Sequence, residues 1–506
     1  MFRMVSRFCV VALLLGLFDS VASAQNSFVY TNNHAGIFPS SINTVSGFTV
    51  GTDGVFKEIP GSPFSAGAQG GGSYGNDADI LVIGDRLYVA NSGGNPTFPG
   101  ISSPSISVFS INATTGFLTH ITGSPFIVGN SPIEITLAAT LDGRFLYLGQ
   151  PFDRTITVFS IGVDGSFAPV SGAVYTVGTG SAFPSLKNMK VTPDGRFLAV
   201  SQLPGIFMYQ IDSGGRLTLV PGSPFFHSSS QFAFRSLDVN CESTFLYAVR
   251  PEQFIPYSEV YSISPTGSLI YSSSAPFLQG WGRNTVFGML SPNDRYFFVS
   301  DFSVSKAIAS FTVAPDGSLG VVPGSPFSIG ASGVTDESVP GGLATNRAGT
   351  ILYASLRRNL IGAYAISSNG ALSPVPGTAV AARDVGITTE IYALAAYPGR
   401  TCQPVPVFDF CIQDESNGNL LKFNSTTGNY QFTNCSTLTL NGTASIIRKG
   451  GIISLQHYGS DRRLIARIDT SSNIATASIQ VFGQASTFGI IDRNISNNSC
   501  SCNNGS

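Results

Sequence analysis

Residues 221–225 read Pro221-Gly-Ser-Pro-Phe225, and the same five residues stand at Pro60 to Phe64 and Pro323 to Phe327. Weaker copies lie at Thr122 to Phe126, Ser171 to Tyr175, Ser273 to Phe277 and Pro376 to Val380. The last positions of the seven copies are spaced by 62, 49, 50, 52, 50 and 53 residues. A nearly constant period of this length is the signature of a repeat architecture. The one long interval contains the Gly-rich stretch Gly67 to Gly75, read as a loop insertion. The phrase itself reads as turn chemistry. Its prolines fix φ and stop a ladder, and its glycine permits the bend. Its Phe is expected to pack between neighbouring units.

A second phrase runs in phase with the first. Leu141-Asp-Gly-Arg-Phe-Leu-Tyr-Leu recurs as Pro193-Asp-Gly-Arg-Phe-Leu-Ala-Val. Looser forms are Asp85-Arg-Leu-Tyr-Val, Thr244-Phe-Leu-Tyr-Ala, Asp294-Arg-Tyr-Phe-Phe-Val and Thr350-Ile-Leu-Tyr-Ala. Asp-Gly marks a tight turn between strands. An apolar stretch precedes it, and an alternating strand such as Ile156 to Ile161 follows the next polar turn. Four antiparallel strands in each of seven units describe a seven-bladed β-propeller. Phe28 to Asn32 reads as a second strand without a first, and Glu390 to Ala396 as a first strand without a second. Joining the two closes the ring and hides both sheet edges. The expected fold is all-β: a seven-bladed β-propeller over residues 25–400, then a small, disulfide-stapled β domain over 401–506.

Composition agrees with this reading. Charged residues are 11% of the 506, against about 25% in ordinary soluble domains, and hydrophobic residues are 43%. The net charge of −2 gives nucleic-acid binding no electrostatic support. The first 24 residues read as a signal peptide: Arg3 and Arg7, an apolar Cys9 to Phe18, and a small-residue cleavage site at Ala22 to Ala24. The apolar stretch is shorter than the roughly 20 residues a membrane span needs. A secreted or periplasmic location is expected, with no membrane span, and a monomer. Cys241 stands alone in the repeats, while Cys402, Cys411, Cys435, Cys500 and Cys502 crowd the tail. Export permits disulfides. A hairpin from Asn419 to Thr433 makes Cys411–Cys435 the first expected staple, with Cys402 pairing Cys500 or Cys502.

The strand phrases Leu87-Tyr-Val-Ala-Asn-Ser and Pro193-Asp-Gly-Arg-Phe-Leu resemble the seven-bladed lactonase-type propellers, including 6-phosphogluconolactonases, and the related YVTN-repeat propellers. The resemblance covers residues 27 to 400. It implies a His, Arg and Glu group at the mouth of the central channel. The matching stretch is Phe234 to Asn240, where Arg235 takes the place of the Arg and Ser236 that of the His. Glu252 lies two residues beyond the family's carboxylate, and Glu134, on another innermost strand, is a relocated carboxylate base if the chain is a hydrolase. Phe410 to Asn419 and Ile490 to Asn498 are similar to an uncharacterised C-terminal module of exported bacterial proteins.

No other chemistry stands out. The four histidines, His34, His120, His227 and His457, lie in no nucleophile elbow. No clustered pattern of metal ligands occurs, and no metal or cofactor is expected. Polar residues at equivalent loop positions, His34, Arg154, Arg250, Asp301 and Arg357, form a candidate ligand rim. Two functions follow. The preferred one is a non-catalytic binding or scaffold protein for an extracytoplasmic carbohydrate, lactone or protein. The alternative is a lactone or ester hydrolase using Arg235 with Glu134 or Glu252.

Overall fold

The computed structural model describes residues 27–33, 42–70, 80–91, 93, 103–129, 135–151, 153–178, 186–226, 233–250, 257–276, 285–301, 307–328, 340–356, 360–376, 380–381, 393–400, 402, 410–413, 419–423, 429–433, 439–449, 452–458, 462–469, 474–481 and 487–492. Residues 1–24, read from the sequence as a signal peptide, lie outside these residues. Among them every regular element is a strand. The chain divides into two compact units, Met1–Thr401 and Cys402–Ser506.

The first unit is a β-propeller. Its described residues form seven antiparallel sheets. Blade 1 combines Leu394–Tyr397 with Ser27–Asn33, Ile42–Val50 and Phe56–Glu58. Blades 2 to 7 follow in chain order. They begin on the innermost strands Ile80–Ile83, Thr136–Ala139, Asn188–Val191, Ser236–Val239, Thr285–Leu290 and Pro340–Thr345. Each innermost strand neighbours that of the next blade, and Leu394–Tyr397 stands between those of blades 7 and 2. The ring is therefore closed by an antiparallel pairing of Phe28–Thr31 with Leu394–Tyr397.

The repeated phrases explain why the blades stack. A blade is covered on both faces, so its second strand is mostly apolar. Phe145–Gln150 and Ile351–Leu356 are buried at every position. Between blades 3 and 4, for example, Tyr147, Ile156 and Val158 pack on Met189, Leu198 and Val200. The Tyr of the second phrase ties one blade to the next. Tyr30, Tyr88, Tyr147 and Tyr247 donate to the carbonyls of Gly116, Gly165, Gly215 and Gly317, each in a turn of the following blade. Those glycines have positive φ, and a Cβ at Gly116 would stand 2.5 Å from the Phe28 ring. Only glycine fits both the turn and the approach. In the Pro-Gly-Ser-Pro-Phe phrase, Ser62, Ser223 and Ser325 each accept a third-strand N–H, as Ser124 does in its weaker copy. The phrase is thus a structural turn, as its residues suggested.

In the second unit, strands Phe410–Gln413, Leu420–Phe423, Asn429–Thr433 and Thr439–Thr443 form one antiparallel sheet. Five strands from Ser445–Lys449 to Thr487–Asp492 form another. Ile412, Phe423 and Phe432 share a core with Leu455, Leu464 and Ile479. The hairpin expected across Asn419 to Thr433 is present, with Leu420 opposite Thr433. One expectation is corrected: Cys241 is not alone, and Cys402 is joined to it by a disulfide rather than to Cys500 or Cys502. Cys241 occupies the turn position held by Pro193 and Pro292 in blades 4 and 6. Cys435, Cys500 and Cys502 lie outside the described residues, and with them the proposed Cys411–Cys435 staple.

Candidate functional site

Strand alternation sorts the connections of a blade between its two faces. The joins from first to second strand and from third to fourth are tight turns, such as Thr140 to Arg144 and Gly162 to Ser166. The joins from second to third strand and from blade to blade emerge on the opposite face. Examples are the spans from Asn91 to Ser105 and from Leu219 to Ser236. The starts of innermost strands and the ends of second strands therefore lie on this loop-bearing face. Of the residues read as a rim, Arg154, Arg250 and Asp301 fall there.

Arg235 immediately precedes the innermost strand of blade 5, half-buried, its backbone N–H donating to Val249 O at 2.9 Å. Ser236 is buried, and its hydroxyl donates to Gly288 O of blade 6 at 3.0 Å. Arg154 is half-buried in the join between second and third strands of blade 3, with φ of 54°. Its carbonyl accepts the N–H of Val177. Asp301 ends the second strand of blade 6. His34, Glu134, Glu252 and Arg357 lie outside the described residues.

Arg250, expected on an exposed rim, is instead enclosed. It is 1% exposed and its Nη1 donates to Glu259 Oε1 at 2.6 Å, with Glu259 at 0%. The same nitrogen lies 3.3 Å from Tyr257 Oη, and the guanidinium sits over the Phe234 ring at 5.1 Å. The Tyr261 hydroxyl donates to the other Glu259 oxygen. The arrangement repeats a device of other blades. Asn33 ends the second strand of blade 1 and donates to Thr44 and Ser46 of the third strand. Asn91 does the same in blade 2 toward Ser105 and Ser107. Arg250 reaches the corresponding two residues of blade 5, Tyr257 and Glu259. It is the charged version of a staple between second and third strands. The sequence carried a sign of this: Asn33, Asn91, Gln150, Gln202, Arg250 and Asp301 all end a second strand.

A second polar cluster lies toward the turn-bearing face. Asp238, on the innermost strand of blade 5, is nearly buried at 4% exposure. Its carboxylate takes Lys190 Nζ of blade 4 at 2.8 Å, Arg400 Nη1 at 3.2 Å and the Leu290 N–H at 2.8 Å. Burial alone would raise its carboxyl, but Lys190, Arg400 and these hydrogen bonds outweigh it and hold Asp238 below the usual range. Arg400 also ion-pairs with Asp294 of blade 6, and Asp294 accepts the Cys241 N–H at 2.6 Å. Burial lifts the Asp294 carboxyl above its ordinary value despite Arg400. No sequence motif marks this group, because Lys190 and Asp238 come from two innermost strands, Asp294 from a turn and Arg400 from the segment after Leu394–Tyr397.

Asp238→Asn is expected to destabilise the propeller by about 2–4 kcal/mol at neutral pH, less than a fully buried pair would, since Lys190 is 41% exposed. A depressed carboxyl contributes stability that is complete above its unfolded pKa of about 3.9 and fades as pH falls through its lower folded value. The gap between wild type and variant in urea unfolding should therefore be widest above about pH 5 and close in strong acid. A gap that is the same at every pH would remove Asp238 ionisation from the account.

No protein-family model matches the sequence, and no curated protein does. Solved structures do match. A protein assigned as a 6-phosphogluconolactonase from Bacteroides fragilis superposes with a TM-score of 0.56 at 17% identity, over 75% of this chain and 99% of that one. The periplasmic gluconolactonase of Pseudomonas aeruginosa gives 0.56 at 18%, over 73% and 99%. A counterpart from Bacteroides uniformis gives 0.54 at 17%, over 74% and 99%. At this identity the likeness is one of fold, and in fold the chain is a lactonase-like β-propeller.

Proposed function

We propose that this protein is an exported, non-catalytic binding or scaffold propeller whose ligand, a carbohydrate, lactone or protein, meets the loop-bearing face. The reading rests on Ser236. Ring opening of a lactone needs a group that activates water and a cation for the developing oxyanion. Arg235 offers the cation. At the position where the lactonase pattern has a His, this chain has a hydroxyl, which is far too weakly basic without an activating neighbour. That hydroxyl is buried and already donates to Gly288 O. Export is supported by the Cys241–Cys402 disulfide, which suits an oxidising compartment. The similar Pseudomonas propeller is a periplasmic protein.

The alternative, a lactone or ester hydrolase, draws on the half-buried Arg235 and on the named activity of the neighbouring folds. A panel of γ- and δ-lactones over about pH 5–9 separates the two. The binding reading expects no turnover above background, with retention on a glycan and protein array. Turnover that disappears in Arg235→Ala would overturn it and place an active site at the loop-bearing face. Glu134→Gln tests the relocated base in the same assay.

A further inference from the structure

The serine of the Pro-Gly-Ser-Pro-Phe phrase sits in the same setting in blades 1, 2, 4 and 6. Ser62, Ser124, Ser223 and Ser325 are each half-buried and accept one third-strand N–H, from Gly47, Val108, Met208 and Ser310. The next third-strand residue is aromatic, Phe48, Phe109, Tyr209 or Phe311, and pairs with Glu58, His120, Leu219 or Val321 of the fourth strand. Of these four positions, only that of blade 2 carries an imidazole. There His120 Nδ1 lies 2.8 Å from Ser124 Oγ, and Nε2 lies 2.8 Å from the Ser65 carbonyl oxygen of blade 1. A carbonyl oxygen only accepts, so the neutral ring carries its proton on Nε2 and donates it there. Nδ1 is left as an acceptor, and the Ser124 hydroxyl donates to it. The ring also packs against Phe109, with centroids 4.2 Å apart, which holds its plane. Ser223, facing Leu219, instead turns its hydroxyl toward the Met208 carbonyl at 3.3 Å.

We propose that Ser124, with His120 as its base, is an acylation site on the outer edge of blade 2 that takes the acyl group of an aryl ester or thioester. A hydroxyl, a base within hydrogen-bond reach and a third group that orients the base are the parts that make a serine reactive. Ser124, His120 and the Ser65 carbonyl supply them. His120 is exposed and Ser124 half-buried, so the pair borders solvent. In the reaction Ser124 Oγ forms a bond to the acyl carbon, and the bond from that carbon to the leaving oxygen or sulfur breaks. The hydroxyl proton passes by way of His120 Nδ1 to the leaving group. The Val108 N–H, 2.9 Å from the same Oγ, faces the negative charge that grows there as the proton departs. The Ser65 carbonyl holds the imidazolium formed in between. The site lies apart from the loop-bearing face and stands whether the propeller only binds its ligand or also hydrolyses it.

Treatment of the full chain with para-nitrophenyl acetate, followed by peptide mapping by mass, tests the site. Ser223 and Ser325 are controls within the same molecule, because they hold the position of Ser124 opposite Leu219 and Val321. Acetylation of Ser124 should run roughly tenfold or more faster than theirs, a modest share of what a well-placed general base contributes. His120→Gln should bring Ser124 down to the rate of Ser223 and Ser325 and leave those two unchanged, which also reports that the variant is folded. Equal acetylation of the three serines in the wild type would overturn the proposal. So would fast acetylation of Ser124 that persists in His120→Gln, which would assign the reactivity to the turn and not to the imidazole.

Discussion

Replacing Glu259 by Gln is expected to lower propeller stability by about 3–5 kcal/mol, because it removes the buried carboxylate with which Arg250 ion-pairs. Both partners are essentially without solvent access, so no screening softens the loss. Arg250→Met should cost a similar amount for the complementary reason, leaving a carboxylate with only the Tyr261 hydroxyl and little water. The double change Arg250→Met with Glu259→Leu should recover most of the deficit. Burying two apolar side chains of similar volume avoids the desolvation that the ion pair has to overcome. Urea unfolding of the two single variants and the double variant, read as a double-mutant cycle, gives the coupling directly. If Arg250→Met melts like the wild type, the staple reading fails, and Arg250 returns to the ligand rim.

Removal of residues 390–398 is expected to abolish the cooperative unfolding of the propeller. The deletion takes away Leu394–Tyr397 and exposes the edge of Ser27–Asn33, an unpaired ladder of the kind that templates aggregation. It also opens two cores at once. Ala395 and Tyr397 pack with Phe28, Ile80 and Val89 toward blade 2, and Leu394 and Ala396 pack with Val29, Ala344 and Tyr353 toward blade 7. Tyr397 and Leu394 alone bury side chains worth about 2 kcal/mol each. Thermal melts of the shortened and full chains would show the loss as a broad, low-temperature transition. An unchanged midpoint would mean that another segment closes the ring.

How much of this molecule is legible in its residues depends on the range of the interaction concerned. The blade count, the turns and the closure by the two chain ends follow from a period of about fifty residues and from strand-length apolar stretches. Local rules suffice there. Glycine at positive φ, Ser beside a Pro turn and an apolar run covered on both faces each act within a few positions of their own place in the chain. The same residues repeat because each blade solves the same packing problem.

The site was legible only in part. Arg250 and Arg235 look alike as cations at the loop-bearing end of blade 5. One is sealed between Phe234 and Glu259, and the other is half-buried, with its backbone N–H on Val249 O. What separates them is the third strand folding over the end of the second, which brings Tyr257 and Glu259 to Arg250. In the same way, Cys241 shows only that a Pro of the repeat has been replaced. Its partner at Cys402 and the meeting of Asp238, Lys190, Asp294 and Arg400 require the ring to close first. By itself, the sequence determined the propeller, its repeats and the replacement of a His by Ser236. Only the tertiary structure decided which charges are enclosed and which cysteines meet, because burial and charge pairing depend on strands brought together from distant parts of the chain.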